Sequence, residues 1–203
     1  MIVLHFIFGF TGSILGGIPF GPLNLSVVEI TLKKSAKHAA RFSSAAALVE
    51  ILQATVAILF GKLISRKIEE VPEFKLAVVA LFLLLGLYFL LKKDGSKYII
   101  KTESKASNFV KGIILALLNP QAMPYWFFVV TYLNTAHLVD LRSWNLVLFL
   151  GGVFVGKYVI LNAFRYFSES IKHRLQSIKN YVSKTIGTLL ILAGIFEAYK
   201  FFY

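Results

Sequence analysis

Apolar residues fall along this chain in six runs, approximately 2–32, 40–63, 74–91, 110–133, 144–166 and 185–203, separated by short polar connectors. A membrane-spanning helix needs about 20 mainly apolar residues, and each run is close to that length or beyond it. The third is the plainest: FKLAVVALFLLLGLYFLL holds one early lysine and stops at Lys92-Lys93. The first meets no charged residue between Ile2 and Glu29, yet it carries GGIPFGPLNLS over residues 16–26. The fourth run carries a related interruption, LLNPQAMP, over residues 117–124. Proline removes a backbone donor and clashes with the preceding turn, and glycine costs a helix about 1 kcal/mol relative to alanine. Both runs are therefore expected to break in mid-span.

The two interruptions occupy matching positions. At an offset of 101 residues Pro19 falls on Pro120 and Arg41 on Arg142. Each half opens with a proline-broken span and continues with two plainer ones. Three spans is an odd number, so the second half must run inverted in the bilayer. The expected fold is an all-α integral membrane protein of six transmembrane helices, built as two inverted three-helix repeats with proline-broken first and fourth helices. It forms a single transmembrane domain over 1–203, with repeat halves at approximately 1–93 and 105–203. Interrupted segments at matching positions of inverted halves point to a transporter binding site, because irregular backbone at membrane depth is tolerated only where it lines a cavity or is buried in protein. Ordinary proline kinks are the plainer alternative, since Gly and Pro are common in membrane helices.

Composition supports a lipid-embedded chain. Hydrophobic residues make up 57% and charged residues 16%, against about a quarter charged in soluble domains. The absence of cysteine excludes disulfides and thiolate metal sites. A formal charge of +12 does not indicate a nucleic-acid partner, because the basic residues are dispersed between the apolar runs. They instead report topology: fifteen Lys and Arg lie in the connectors after runs one, three and five, against six after runs two and four and at the C-terminus. The inner side of a membrane protein carries the excess, so both termini are expected outside. Lys62, Arg66, Lys67 and Lys75 in the second connector oppose that assignment. MIVLHFIFGFTGS lacks a basic n-region and its apolar stretch runs on, so the first span is expected to persist in the mature protein.

Depth brings out the candidate residues. Asn24 lies 9 residues before Lys33, Glu50 lies 9 after Arg41, Asn119 lies 8 after Lys111, and Lys157 lies 8 before Arg165. At 1.5 Å per residue all four fall about 12–14 Å from the inner interface, near the middle of a hydrocarbon core about 30 Å thick. Glu50 is the only acid well inside a run, and a charge at that depth costs about 2.5–3.5 kcal/mol on insertion scales. It either binds a substrate ammonium group or takes up a proton, or forms a structural ion pair with Lys157. Gln53 shares nearly the same helix face. Lys157 either meets a substrate carboxylate or snorkels to the inner surface. Asn24, Asn119 and Gln121 stand at the breaks, where their amides satisfy freed backbone groups or touch a ligand. Glu29 is expected at the interface, Glu197 at the outer surface, and Trp126 and Trp144 facing lipid or in the interfacial belt.

No H-E-x-x-H, G-x-S-x-G, P-loop or Rossmann element occurs, and His5, His38, His137 and His173 form no metal-ligand spacing. The sequence thus suggests neither an enzyme nor a cofactor or metal protein. The order PFGPLN, ALVEILQATVAILFG, GIILALLNPQAMPYW and VSKTIGTLLILAGIFEAY resembles the lysine-exporter (LysE/RhtB) translocator family over most of the chain. That family has a P-G-P-x-N-like element in span one, an acid in span two and an LLNPKA-like element opening its second half. The resemblance implies an exporter of amino acids or related small metabolites in the bacterial inner membrane, driven by the proton gradient. Carried over by match, its pathway residues are Pro19, Gly21, Pro22 and Asn24, then Glu50, then Asn119, Pro120 and Gln121. Gln53 and Lys157 join that pathway from the depth argument alone. The sequence departs from the pattern in Phe20 before Gly21, in Glu for the usual Asp, and in Lys157, and these departures bear on substrate more than on fold. A zwitterionic amino acid suits the carboxylate and the half-helix N-termini. Three rivals stay open: a cation or metal exporter, a non-transporting membrane scaffold, and an enzyme of lipid intermediates. Homo-oligomerisation is also left open.

Overall fold

The computed structural model describes residues 2–18, 21–70, 72–91, 107–119 and 121–172, together with residues 184, 187–188, 191–192, 194–195 and 198–199. Among these, all regular structure is helical. The elements are α1 (Ile2–Gly17), α2 (Pro22–Lys33), α3 (Ala36–Glu70), α4 (Pro72–Leu91), α5 (Asn108–Leu117), α6 (Ala122–Thr135), α7 (Ser143–Tyr166) and α8 (Ser168–Lys172).

Both interrupted runs break. Between α1 and α2 the axis turns by 77°, and between α5 and α6 by 64°. At the first break Gly21 is extended and Pro22 opens α2, where its missing N–H is one that no helix end satisfies anyway. At the second, Leu117 ends α5 and Pro124 falls in the first turn of α6, again a position that needs no amide donor. Ser107 caps α5 by accepting the Val110 N–H at 3.3 Å. The same proline chemistry that disqualifies a mid-helix position therefore starts a new helix. Pro19 and Pro120 themselves lie outside the described residues.

Among the described residues, two unbroken segments, Ala36–Phe60 and Ser143–Tyr166, are long and apolar enough to cross a membrane, or up to four spans if each bent pair counts as one. The third apolar run forms α4, and the sixth is helical at its described positions. One boundary differs from the sequence expectation. The apolar run spans about 40–63 and the membrane-length segment is Ala36–Phe60, whereas the helix α3 continues to Glu70 and Pro72 opens α4. Lys62, Arg66 and Lys67 thus belong to a helix, because Lys, Arg and Glu are good helix formers and nothing before Pro72 interrupts them. The basic connectors over 92–106 and 173–183, Glu197 and most of 185–203 lie outside the described residues.

Packing follows a crossed pattern. The helix before the first bend, α1, packs against α7, and the helix before the second bend, α5, packs against α3. Glycines permit both approaches. A Cβ on Gly152 would collide with the Phe6 carbonyl oxygen, and one on Gly156 would lie 2.5 Å from that of Phe10. On the other side, a Cβ on Gly112 would lie 2.5 Å from the Phe42 carbonyl. Small residues that let backbones meet are how helices associate without a hydrophobic driving force. Two apolar clusters result. One gathers Val27, Phe42, Val49, Leu115 and Leu161, and the other gathers Ala54, Trp126, Val130, Phe149 and Val153.

Gly152→Ala is expected to destabilise the protein by about 1–3 kcal/mol through overpacking, seen as a lower melting temperature of the detergent-solubilised protein. Gly151→Ala is the control: its Cβ would meet only the Phe6 ring edge at 4.0 Å, and its melting temperature should stay at the wild-type value.

Candidate functional site

Glu50 sits on α3 where the helix passes from one apolar cluster to the other, between Val49 and Ala54. Lys157 occupies the same boundary on α7, between Val153 and Leu161. Their side chains are 5% and 8% exposed, and Lys157 Nζ lies 3.3 Å from Glu50 Oε2. Ser13 Oγ on α1 donates to the same oxygen at 3.2 Å. Trp126 Nε1 on α6 donates to Oε1 at 3.1 Å. A carboxylate offers about four acceptor positions, so three donors from three different helices nearly saturate it.

The surroundings hold those donors in place. Trp126 is fully buried and packs edge-on against Phe149, with ring centroids 6.0 Å apart, and against Tyr125 at 5.6 Å. Tyr125 donates its hydroxyl to the Gly12 carbonyl, tying α6 to α1 next to Ser13. Gly16 makes room for it, since a Cβ there would collide with the Tyr125 ring. Each helix that reaches Glu50 is therefore anchored to another one that does.

The amides serve the breaks. Asn24, 3% exposed, donates from the first turn of α2 to the Gly17 carbonyl at 2.8 Å. It thereby bridges the first break and satisfies a carbonyl that the helix end leaves without an intrahelical partner. Gln53, one turn from Glu50, donates to the Ala116 carbonyl in the last turn of α5 at 2.9 Å. At the second break Asn119 Oδ1 accepts the Gln121 N–H at 3.3 Å, and Gln121 is the residue from which α6 starts. Gly21 and Pro22 begin α2 as already described. Of the four groups placed at one depth by the sequence, Glu50 and Lys157 meet directly, while Asn24 and Asn119 each hold a break. Glu29 pairs with Lys33 at 2.8 Å.

One sequence expectation is overturned and one residue was missed. Trp126 does not face lipid or the interface; it is buried against the carboxylate, whereas Trp144 is 76% exposed. The bend before α6 changes which face of that segment points inward, which a straight-helix count does not anticipate. Ser13 was overlooked, although Gly9, Gly12, Ser13 and Gly16 form a run of small residues at helical spacing, the mark of a packing face. Among the described residues no group of three or more His, Cys, Asp or Glu could hold a metal ion.

A family model for the LysE type translocators matches residues 14–200. The chain belongs to that family. The match spans both breaks, Glu50, Trp126 and Lys157, while Ser13 and most of α1 precede it. Comparison with curated proteins and with solved structures yields no match. The translocator is thus a multi-pass membrane protein that moves a small molecule, and its buried carboxylate on α3 is met from α1, α6 and α7.

Trp126→Phe keeps the ring and removes the donor to Glu50. A hydrogen bond to a charged group contributes about 1.5–3 kcal/mol, and a loss of that size is expected in the thermal stability of the translocator. In Glu50→Gln, the same Trp126 substitution should cost less, and equal costs in both backgrounds would show that the indole does not act through the carboxylate.

Proposed function

We propose that this translocator is a six-span, inverted-repeat exporter of amino acids or related small metabolites in a bacterial inner membrane. In this reading, substrate binds near the bilayer midplane between the two broken helices. The observation that carries the proposal is the buried Glu50 carboxylate, reached by α1 and α6 from the two broken spans and by α7 from the second half. A group costly to bury and contacted from both halves is suited to report substrate occupancy to each of them.

The chemistry follows from the parts. Glu50 receives the substrate ammonium group. The substrate carboxylate is served by Lys157 and by the N-terminal ends of α2 and α6, where the helix dipole favours an anion. Asn24, Gln53, Asn119 and Gln121 keep the broken ends satisfied, with Pro19, Gly21, Pro22 and Pro120 shaping the breaks. Alternating access arises as the α1–α7 unit rocks against the α3–α5 unit, and the proton gradient supplies the driving force. The lipid bilayer is the other partner, and both termini lie outside. A cation exporter is less well supported, because among the described residues Glu50 has no second buried acid beside it to share a cation.

Efflux of loaded amino acids from proteoliposomes tests this reading. Glu50→Ala is expected to lower efflux of the transported species by at least about 30-fold, the effect of removing one member of a buried charge pair. Equal rates with the intact protein would remove Glu50 from the pathway.

A further inference from the structure

We infer that Lys157 fixes the charge class of the substrate: with Glu50 it makes the site electrically neutral, so the translocator selects amino acids of zero net charge and rejects basic ones. The inference rests on the exporter reading above and deepens it, assigning a selectivity role to a residue that the carboxylate chemistry alone does not require.

Among the described residues Glu50 is the one buried acid. Its other two donors, the Ser13 hydroxyl and the Trp126 indole, are uncharged, as is Gln53 one turn away. The second buried lysine, Lys111, lies in the first turn of α5 one turn from Asn108, which accepts from Lys34 at 3.4 Å, and the charges that act on it are those of Lys34 and Glu29. The cluster around the carboxylate therefore holds one negative and one positive charge, 3.3 Å apart.

A zwitterion enters such a site without changing its net charge. The ligand ammonium takes the position of Nζ on Glu50 Oε2, and Nζ moves to the ligand carboxylate. Two opposed pairs then replace one, and no charge is left buried alone. Lysine or arginine would bring one further positive charge into the same apolar surroundings of Trp126, Phe149 and Val153, with no second buried acid among the described residues to receive it. An uncompensated buried charge is strongly disfavoured. When the substrate leaves, Lys157 returns to Glu50, so the empty carrier also has a neutral core. A merely structural ion pair would account for the burial but would leave selectivity untouched.

The test is counterflow in proteoliposomes with radiolabelled threonine, leucine and methionine against lysine and arginine. The wild type is expected to exchange at least one of the neutral species and neither basic one. Lys157→Met leaves a net negative site. It should raise the basic-to-neutral flux ratio by about 30-fold or more, the scale of losing one partner of a buried charge pair. Lys157→Arg should keep the neutral preference. Should Lys157→Met fail to fold, the charge-swapped protein Glu50→Lys, Lys157→Glu retains both charges and is expected to keep rejecting basic substrates. An unchanged ratio in Lys157→Met, or gain of lysine flux in the swapped protein, overturns the role of Lys157 and leaves the exporter reading standing. Wild-type exchange of lysine or arginine as fast as of the neutral species overturns the neutral-site inference in the same way. Exchange of none of the five by the wild type overturns the amino-acid reading, and the inference falls with it.

Discussion

A carboxylate buried in the middle of a membrane protein must find partners, and the partners of Glu50 come from α1, α6 and α7. That requirement organises the interior. A charge at this depth costs several kcal/mol when isolated, and only donors drawn from separate helices can offset the cost while keeping those helices in one arrangement. Ser13, Trp126 and Lys157 do so with distances of 3.1–3.3 Å. The apolar clusters on either side, with Phe42 and Val49 in one and Phe149 and Val153 in the other, leave little polar surface elsewhere to compete. A buried ion pair is weak evidence for stability by itself. Its value here is register: it fixes which turn of α7 faces which turn of α3.

The breaks and the ion pair depend on each other. A straight first span could carry Ser13 to Glu50, but the bend after Gly17 lets α2 leave the axis and leaves the Gly17 carbonyl for the Asn24 amide. The second bend does the same for α5 and α6, and it presents Trp126 inward. Gln53 couples the two features on one helix face, because it supports the end of α5 one turn from the charged pair. The close α1–α7 and α3–α5 approaches depend on Gly152, Gly156 and Gly112. The helix before each bend therefore packs on a long unbroken helix, α1 on α7 and α5 on α3.

Much of the fold was legible in sequence because the bilayer permits so few solutions. Long apolar runs must be helices, since their backbone groups have no water to turn to, and Pro22, Pro124 and the Gly16-Gly17 pair mark where those helices stop and restart. The Glu50–Lys157 pair was legible by depth, because rise per residue converts spacing into height within an unbroken helix. Trp126 and Ser13 were not. Trp126 follows a bend, so its facing depends on the angle between α5 and α6, which no spacing encodes. Ser13 is one small residue in a stripe of glycines, and a hydroxyl gains meaning only once an acid stands opposite it. The end of α3 differed for a simpler reason: charged residues signal the edge of the membrane, not the end of a helix.

The sequence by itself therefore determined spacing: where the apolar helices must interrupt, and that one acid and one base stand at comparable distances along two of them. Tertiary structure decided azimuth and partnership. It turned Asn24, Gln53 and Asn119 to the broken ends, set Lys157 on Glu50, and brought an indole and a hydroxyl to the remaining acceptor positions. The physical reason is that depth is a one-dimensional quantity fixed by covalent geometry, whereas facing depends on how helices from both halves pack, which is a property of the whole chain.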